Sequence, residues 1–324
     1  MRRFGSFGDL PLGGPRRVVA IGTFDGVHVG HQAVIGRAIE IARERRLNAM
    51  ALTFEPQPIA VLRPELRPAV LTHIGLKTQL IERLGVDELL VVPFTKAFSR
   101  IRAERFAEML VSPPVGAEAV VIGENFRFGH GGAGTAEMLM QYGRRRGFHV
   151  EAPVLISSAD GKPISSTRIR RLVATGQVEA VIPLLGRLHT VEGVVVHGEG
   201  RGRGLGIPTA NLEIPADSAL PSRGVYACRA VLARGRSTAA VNIGVAPTFT
   251  AQSLNSTMRL EAFLLDHDGS DLYGQTMRIE FIERLRDEKR FESVDALMEQ
   301  VHRDIARARE IGARPPATEP DLAP

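Results

Sequence analysis

Two histidines with two residues between them, His28 and His31, close the run GTFDGVHVGHQ (residues 22–32). Two imidazoles aimed at one phosphate can donate hydrogen bonds to its non-bridging oxygens as charge builds during displacement at phosphorus. Gly30 lies between them, and its missing Cβ lets a phosphate come close to the backbone. Gly22, Phe24 and Asp25 complete the run, which turns from an apolar strand into the start of a helix. The backbone N–H groups at such a helix start favour an anion. A zinc pair is the competing reading, because zinc accepts imidazole, but no third or fourth ligand lies nearby.

Two further segments could serve the same phosphate chemistry. In ISSTRIR (164–170), Ser165, Ser166 and Thr167 stand just before a helical pattern, where one of them is a natural cap. Arg168 falls in the first turn, so its guanidinium can grip a phosphate through two donors. GENFRFG (123–129) follows a buried strand, and its Asn125 and alternating aromatics suit nucleotide or flavin contact. Each has a plainer reading: a capped surface helix, and a loop with Phe126 or Phe128 packed inward.

A second constellation begins at Gly198. The stretch GEGRGRGLGIPTANL (198–212) interleaves Gly200, Gly202, Gly204 and Gly206 with Arg201 and Arg203. Backbone and guanidinium donors in such a loop can wrap phosphate oxygens. No Gly-Lys-Ser/Thr follows, so it is not a Walker loop. Thr209 offers a hydroxyl for Mg²⁺ or phosphate, and Asn211 adds an amide. Downstream, Glu261 interrupts an apolar strand pattern. It is either on a solvated face or a base placed to take the proton of an alcohol attacking a γ-phosphate. Spacing alone does not choose between them.

Around these residues, short apolar runs alternate with helical patterns: Val18–Ile21, a helix over about 31–46, Ala49–Phe54, a helix around 77–84, Leu89–Val92 and Ala119–Ile122. That alternation predicts a doubly wound parallel sheet with ligands beyond its carboxyl ends. Two helical segments follow, over about 166–175 and 177–185. After Gly186 the rhythm becomes strand and turn (190–196, 225–232, 238–243, 258–265, 276–283), which predicts a small antiparallel barrel. A last helix over 293–309 carries Val294, Leu297, Met298, Val301 and Ile305 on one face. The expected division is residues 1–185, residues 186–311, and a Pro-rich disordered tail, 312–324.

Composition narrows the class. The 324 residues are 44% hydrophobic and 24% charged, enough apolar content for a core and too much for a disordered chain. A single cysteine, Cys228, excludes an internal disulfide framework. No apolar run reaches membrane-spanning length, and the opening MRRFGSFGDLPLGG has no secretory h-region, so a cytoplasmic protein is expected. Of 41 basic residues only four are lysine, yet the net charge is just +5. Basic patches at 43–46, 144–146 and 201–203 could meet nucleic acid, but no aromatic residues interleave with them to stack bases. No nucleic-acid or membrane partner is expected.

The run GTFDGVHVGHQ is similar to the signature of the HxGH nucleotidyltransferases. Together with TFEPQP, GENFRFG, ISSTRIR, LLGR, GRGLGIPTANL, GVYA, NIGVAPTF, EAFLLD, DLYG and RDEKRF, it makes residues 16–310 resemble the bacterial bifunctional riboflavin kinase/FAD synthetase family. The resemblance implies an α/β N-terminal adenylyltransferase domain and a C-terminal kinase domain built on a Greek-key β-barrel with a C-terminal helix. It also implies ATP, riboflavin, FMN and FAD as substrates and products, Mg²⁺ as cofactor, and oligomers as a possibility. Carried over by motif, His28, His31 and Asp25 belong to adenylyl transfer, while Asn125 contacts nucleotide or flavin. Ser165, Ser166, Thr167 and Arg168 hold phosphate. Thr209 and Asn211 hold Mg²⁺ and phosphates, and Glu261 is the base on the riboflavin 5′-hydroxyl. Three positions depart from the family pattern: Gln57 in place of histidine, Leu76 in place of an acidic residue, and Leu188-His189 after LLGR. Alternatives are a chain retaining one activity only, or a non-catalytic flavin- or nucleotide-binding regulator.

Overall fold

The structure is a computed structural model that describes residues 1–154, 156–198, 207–245 and 258–314. Two compact units emerge: residues 1–68 with 72–165, and residues 69–71 with the chain from Ser166 onward.

The first unit is a six-stranded parallel sheet. Its strands are β1 (Arg2–Phe4), β2 (Arg17–Ile21), β3 (Asn48–Glu55), β4 (Glu88–Pro93), β5 (Ala117–Ile122) and β6 (His149–Glu151), in the spatial order β1-β4-β3-β2-β5-β6. Between them run α1 (Val29–Arg45), α2 (Pro58–Leu62), α3 (Ile74–Arg83), α4 (Ala103–Val111) and α5 (Ala136–Arg146). β2 is buried at every position, as an apolar central strand covered by helices on both faces must be. The expected helices, α1 and α3, and strands, β2 to β5, match the sequence pattern to within a few residues, while α2, α4 and α5 form where no helix was expected. The two edge strands, β1 and β6, escaped it because three residues are too few to show an alternation.

The chain order reverses beside β2: β3 lies on one side of it and β5 on the other, with Ile21 paired to both Leu52 and Ile122. In parallel sheets the crevice at such a reversal, beyond the carboxyl ends, is where ligands sit. β2 ends there in GTFDGVHVGH and β5 in GENFRFG.

The second unit opens with α6 (Ser166–Ala174) and α7 (Val178–Leu185) and continues into β7 (His189–Val196), β8 (Ala210–Glu213), β9 (Gly224–Leu232), β10 (Gly235–Val245), β11 (Met258–Leu264) and β12 (Thr276–Arg286). The six strands close an antiparallel barrel in the order β10-β11-β8-β7-β12-β9. Its interior is apolar and includes Cys228, whose thiol burial pushes well above its ordinary range. The sequence pattern changes at 185/186, but the packing boundary comes at 165/166. The α6–α7 pair belongs with the barrel, since a Cβ on Gly176 would strike Ser222 and Tyr226, and Glu179 accepts the Arg284 backbone N–H at 2.8 Å.

The final helix, α8 (Val294–Gly312), forms where the sequence pattern places it and runs three residues further. Val294 is 57% exposed, and the buried positions are Asp304, Ala308 and Ile311. The helix docks through its C-terminal half, where Ala308 and Ile311 meet Ala227 and the Asp304 carboxylate accepts two bonds from Arg286. α8 continues to Gly312, and residues 315–324 of the expected tail lie outside the described residues. In two of the basic patches one arginine is paired on the surface, Arg43 with Asp87 and Arg146 with Glu108.

Candidate functional site

At the carboxyl end of β2 the chain bends through an unusual backbone. Phe24 and Val27 both have positive φ, 48° and 39°, with Gly26 at 85° between them. A β-branched residue in this region is strained, and such strain persists only where the surroundings over-determine it. Asp25 is fully buried, and its Oδ1 accepts the Thr72 backbone N–H at 3.0 Å, which ties the bend to the segment before α3. Gly22 is required by Phe24, because a Cβ there would come within 2.6 Å of its ring.

His28 then caps α1. Its Nδ1 accepts the His31 backbone N–H at 3.3 Å. A neutral imidazole that accepts at Nδ1 carries its proton on Nε2, so the cap fixes the tautomer as well as the ring. The His28 and His31 rings stack with centroids 3.6 Å apart, and Phe24 meets His31 edge-on at 5.4 Å. Gly30 has a second reason to be glycine, since a Cβ would press to 3.2 Å from the His28 ring and lie 3.9 Å from the Ile164 carbonyl oxygen. The approach of Ile164 brings Ser165 to the neighbourhood of the histidines. Ser166, Thr167 and Arg168 are the first three residues of α6 and belong to the second unit.

Across the crevice, Asn125 is exposed and its Oδ1 folds to 3.3 Å from the position of a Cβ on Gly123. Phe128 is buried and stacks on half-buried Phe126 at 5.8 Å, so the inward-packing reading holds for Phe128. Phe106 links Phe128 to Phe98, which reaches Phe54 and Phe94 at the ends of β3 and β4. This apolar wall was not singled out in the sequence because its members come from four separate segments.

Gln57 and Leu76 are both buried, and the Gln57 amide nitrogen has no hydrogen-bond partner among the described residues. His189 opens β7 from inside the barrel unit, 1% exposed, with Nε2 2.8 Å from the Ala219 carbonyl oxygen.

In the barrel the strand register settles the face of Glu261. Leu260, Ala262 and Leu264 point into the core, so Glu261 points outward. Its register partners are Asn211 on β8 and Asn242 on β10. Side chains of directly paired residues share one face with Cβ atoms about 4.5–5.5 Å apart. One carboxylate is therefore flanked by two carboxamides. Asn211 is half-buried, and its Oδ1 has no hydrogen-bond partner among the described residues. Gly198, at the end of β7, is what makes room for this amide, since a Cβ there would fall 2.0 Å from the Asn211 Nδ2. Beside Asn211 lies a cavity of about 550 Å³ lined by Thr209, Phe263, Asp271 and Tyr273, and the Tyr273 ring meets His197 at a tilt, with centroids 3.6 Å apart. Gly204 and Gly206 lie outside the described residues. Asn242 was quoted in a motif but given no role, because its neighbour Glu261 is remote in sequence.

The comparisons with known proteins also divide the chain in two. A family model described as FAD synthetase matches residues 14–168, and one described as riboflavin kinase matches residues 185–312. A bifunctional riboflavin kinase/FMN adenylyltransferase of Escherichia coli (strain K12) is 35% identical over 295 residues, covering 90% of this chain and 92% of that protein. Its counterpart in Bacillus subtilis (strain 168) is 34% identical over 296 residues, with the same coverage of both chains. A crystal structure described as a macrolide-efflux protein from Streptococcus pneumoniae superposes with a TM-score of 0.84 at 31% identity, covering 95% of this chain and 98% of that one. Among the described residues of this chain no helix is long and apolar enough to cross a membrane. On both halves and over nine-tenths of its length, the chain belongs to the bifunctional riboflavin kinase/FMN adenylyltransferase family.

Proposed function

We propose that this chain converts riboflavin and ATP to FMN and ADP, and FMN and a second ATP to FAD and pyrophosphate, with one step in each unit. The observation that carries the reading is that two families of known activity match separate stretches, and each stretch assembles its own set of polar residues.

In the barrel unit, the riboflavin 5′-hydroxyl gives its proton to the Glu261 carboxylate while its oxygen bonds to the γ-phosphorus and the bond to ADP breaks. A positioned base of this kind contributes about 10²–10⁴-fold. Thr209 and Asn211 supply hard oxygens, and the buried Asn211 Oδ1 without a hydrogen-bond partner among the described residues fits a divalent cation. Mg²⁺ characteristically binds through few protein oxygens plus substrate phosphates, which suits a site where the described residues form no cluster of three His, Cys, Asp or Glu. When bound, it neutralises charge on the transferring phosphate. Tyr273 and Phe263 give the adjoining cavity an aromatic surface suited to a nucleotide base.

In the α/β unit, a phosphate oxygen of FMN attacks the α-phosphorus of ATP and pyrophosphate leaves. His28 and His31 stabilise the non-bridging oxygens by hydrogen bonding and transfer no proton. Ser165 takes the triphosphate, Asn125 orients nucleotide or flavin, and Gly22, Phe24, Asp25 and Gly30 keep the histidines in place. Two variants test this division. Glu261→Gln should abolish FMN formation from riboflavin and leave FAD formation from supplied FMN, and the pair His28→Ala/His31→Ala should do the reverse. Equal loss of both steps in either variant counts against two independent sites.

A further inference from the structure

We infer that Asn242 is a positioning residue for the kinase step: its carboxamide, level with Glu261 across the β10–β11 pair, sets the orientation of the Glu261 carboxylate. The inference rests on the reading of Glu261 as the base. It follows from the register, which pairs Asn242 with Glu261 and Glu261 with Asn211. All three side chains stand on the outer face, because Val241, Ile243, Leu260, Ala262 and Leu212 fill the core.

Of the two flanking amides, Asn211 is committed in the proposed reaction to cation and phosphate. Asn242 has no such assignment. Nor does the fold ask for asparagine at this position: Asn is disfavoured in strand interiors, and the outward neighbours on β10 are Ala240 and Gly244. What the position does offer is an amide with two N–H donors beside a carboxylate that can only accept. A glutamate side chain has several rotamers to choose among, and a donor from one side selects the rotamer that presents a free lone pair to the substrate.

Other charged groups face this row. Arg259 lies two residues along β11 on the same face and pairs in register with Gly244. Beyond β10, the Glu288 Oε1 is 3.1 Å from where a Cβ on Gly244 would lie, and the Asn242 Nδ2 is 3.4 Å from the same point. Glu213 follows Asn211 on the outer face of β8, and α8 contributes Asp304, which Arg286 holds. An aspartate at 242 would thus stand between two carboxylates, Glu261 and Glu288.

The test is kcat and KM for FMN formation in the full-length enzyme. Asn242→Ala should lower kcat about tenfold, the usual worth of one hydrogen bond to a charged group, with KM for ATP and riboflavin within about twofold of wild type. Asn242→Asp, which removes the donor and adds a like charge, should lower kcat at least as far. Asn242→Ser, which keeps a donor, should recover most of the rate lost in the alanine variant. FAD formation from FMN should be unchanged in all three and reports that each is folded. A wild-type kcat in Asn242→Ala, or an Asn242→Ser variant no faster than Asn242→Ala, overturns the inference. Glu261→Gln run in parallel separates the two readings. If it retains FMN formation, the base is misassigned; if it is inactive while the Asn242 variants behave as wild type, only the role of Asn242 fails.

Discussion

Gly198→Ala is the smallest change that should separate the kinase site from the fold. A Cβ at this position would lie 2.0 Å from Nδ2, 2.5 Å from Cγ and 2.8 Å from Oδ1 of Asn211. Non-bonded heavy atoms rest about 3.5 Å apart, so the amide has to retreat by about 1.5 Å. The obstacle is the end of a side chain, and Gly198 itself is exposed with no positive φ. The chain therefore accommodates the methyl by rotating Asn211, at a stability cost below about 1 kcal/mol. Catalysis has no such latitude, because a displacement near 1 Å in a positioned group can cost about 10²-fold. The expected result is a roughly hundredfold fall in FMN formation from riboflavin, followed chromatographically at saturating ATP. The melting temperature and FAD formation from FMN should stay at wild-type values. A variant that phosphorylates riboflavin at the wild-type rate would refute the placement of Asn211 in the site. So would one that loses both activities together.

Two other expectations concern stability. Gly129 has φ +73°, and a Cβ there would fall 2.6 Å from the backbone of Ala103. Backbone cannot swing aside, so Gly129→Ala should destabilise the α/β unit by about 2 kcal/mol or more, seen as a lower midpoint in thermal unfolding. Glu151 is held down to about 2, chiefly by the hydrogen bond from Arg37, with His149 adding to it. A depressed carboxylate contributes fully above its unfolded pKa and loses that contribution as pH falls from about 4.5 to about 2. Urea melts should therefore show Arg37→Ala weaker than wild type at pH 7, with the gap narrowing by pH 3. A gap that widens toward acid would contradict the assignment.

The two sites were legible to different depths, and the reason is the range over which each is built. GTFDGVHVGH is one continuous turn into a helix, so its cap, its glycines and its paired imidazoles stand side by side in the sequence. What the sequence could not show is that His28 serves as the cap itself, or that Asp25 is spent on Thr72. The kinase row draws on residues 211, 242 and 261, which only barrel closure brings level. Glu261 looked ambiguous because an acidic residue in an apolar alternation reads alike on a solvated face and in a site. Register settles only its face, the outer one, and which residues flank it there. β8 was missed since its four residues emerge from a Gly-Arg loop without an alternation of their own. The α8 stripe told less for another reason: an apolar face shows which side of a helix can be buried, whereas the Arg286–Asp304 pair fixes which turns are buried most.

The account stands on two phosphorus atoms being attacked in two places on one chain. The direct measurement gives the purified protein riboflavin and Mg²⁺ with ATP labelled at either the α- or the γ-phosphorus, and separates the flavins. The γ label should enter FMN and persist in the flavin-side phosphate of FAD, while the α label should appear only in FAD. Label in neither nucleotide, or α label in FMN, would contradict the account.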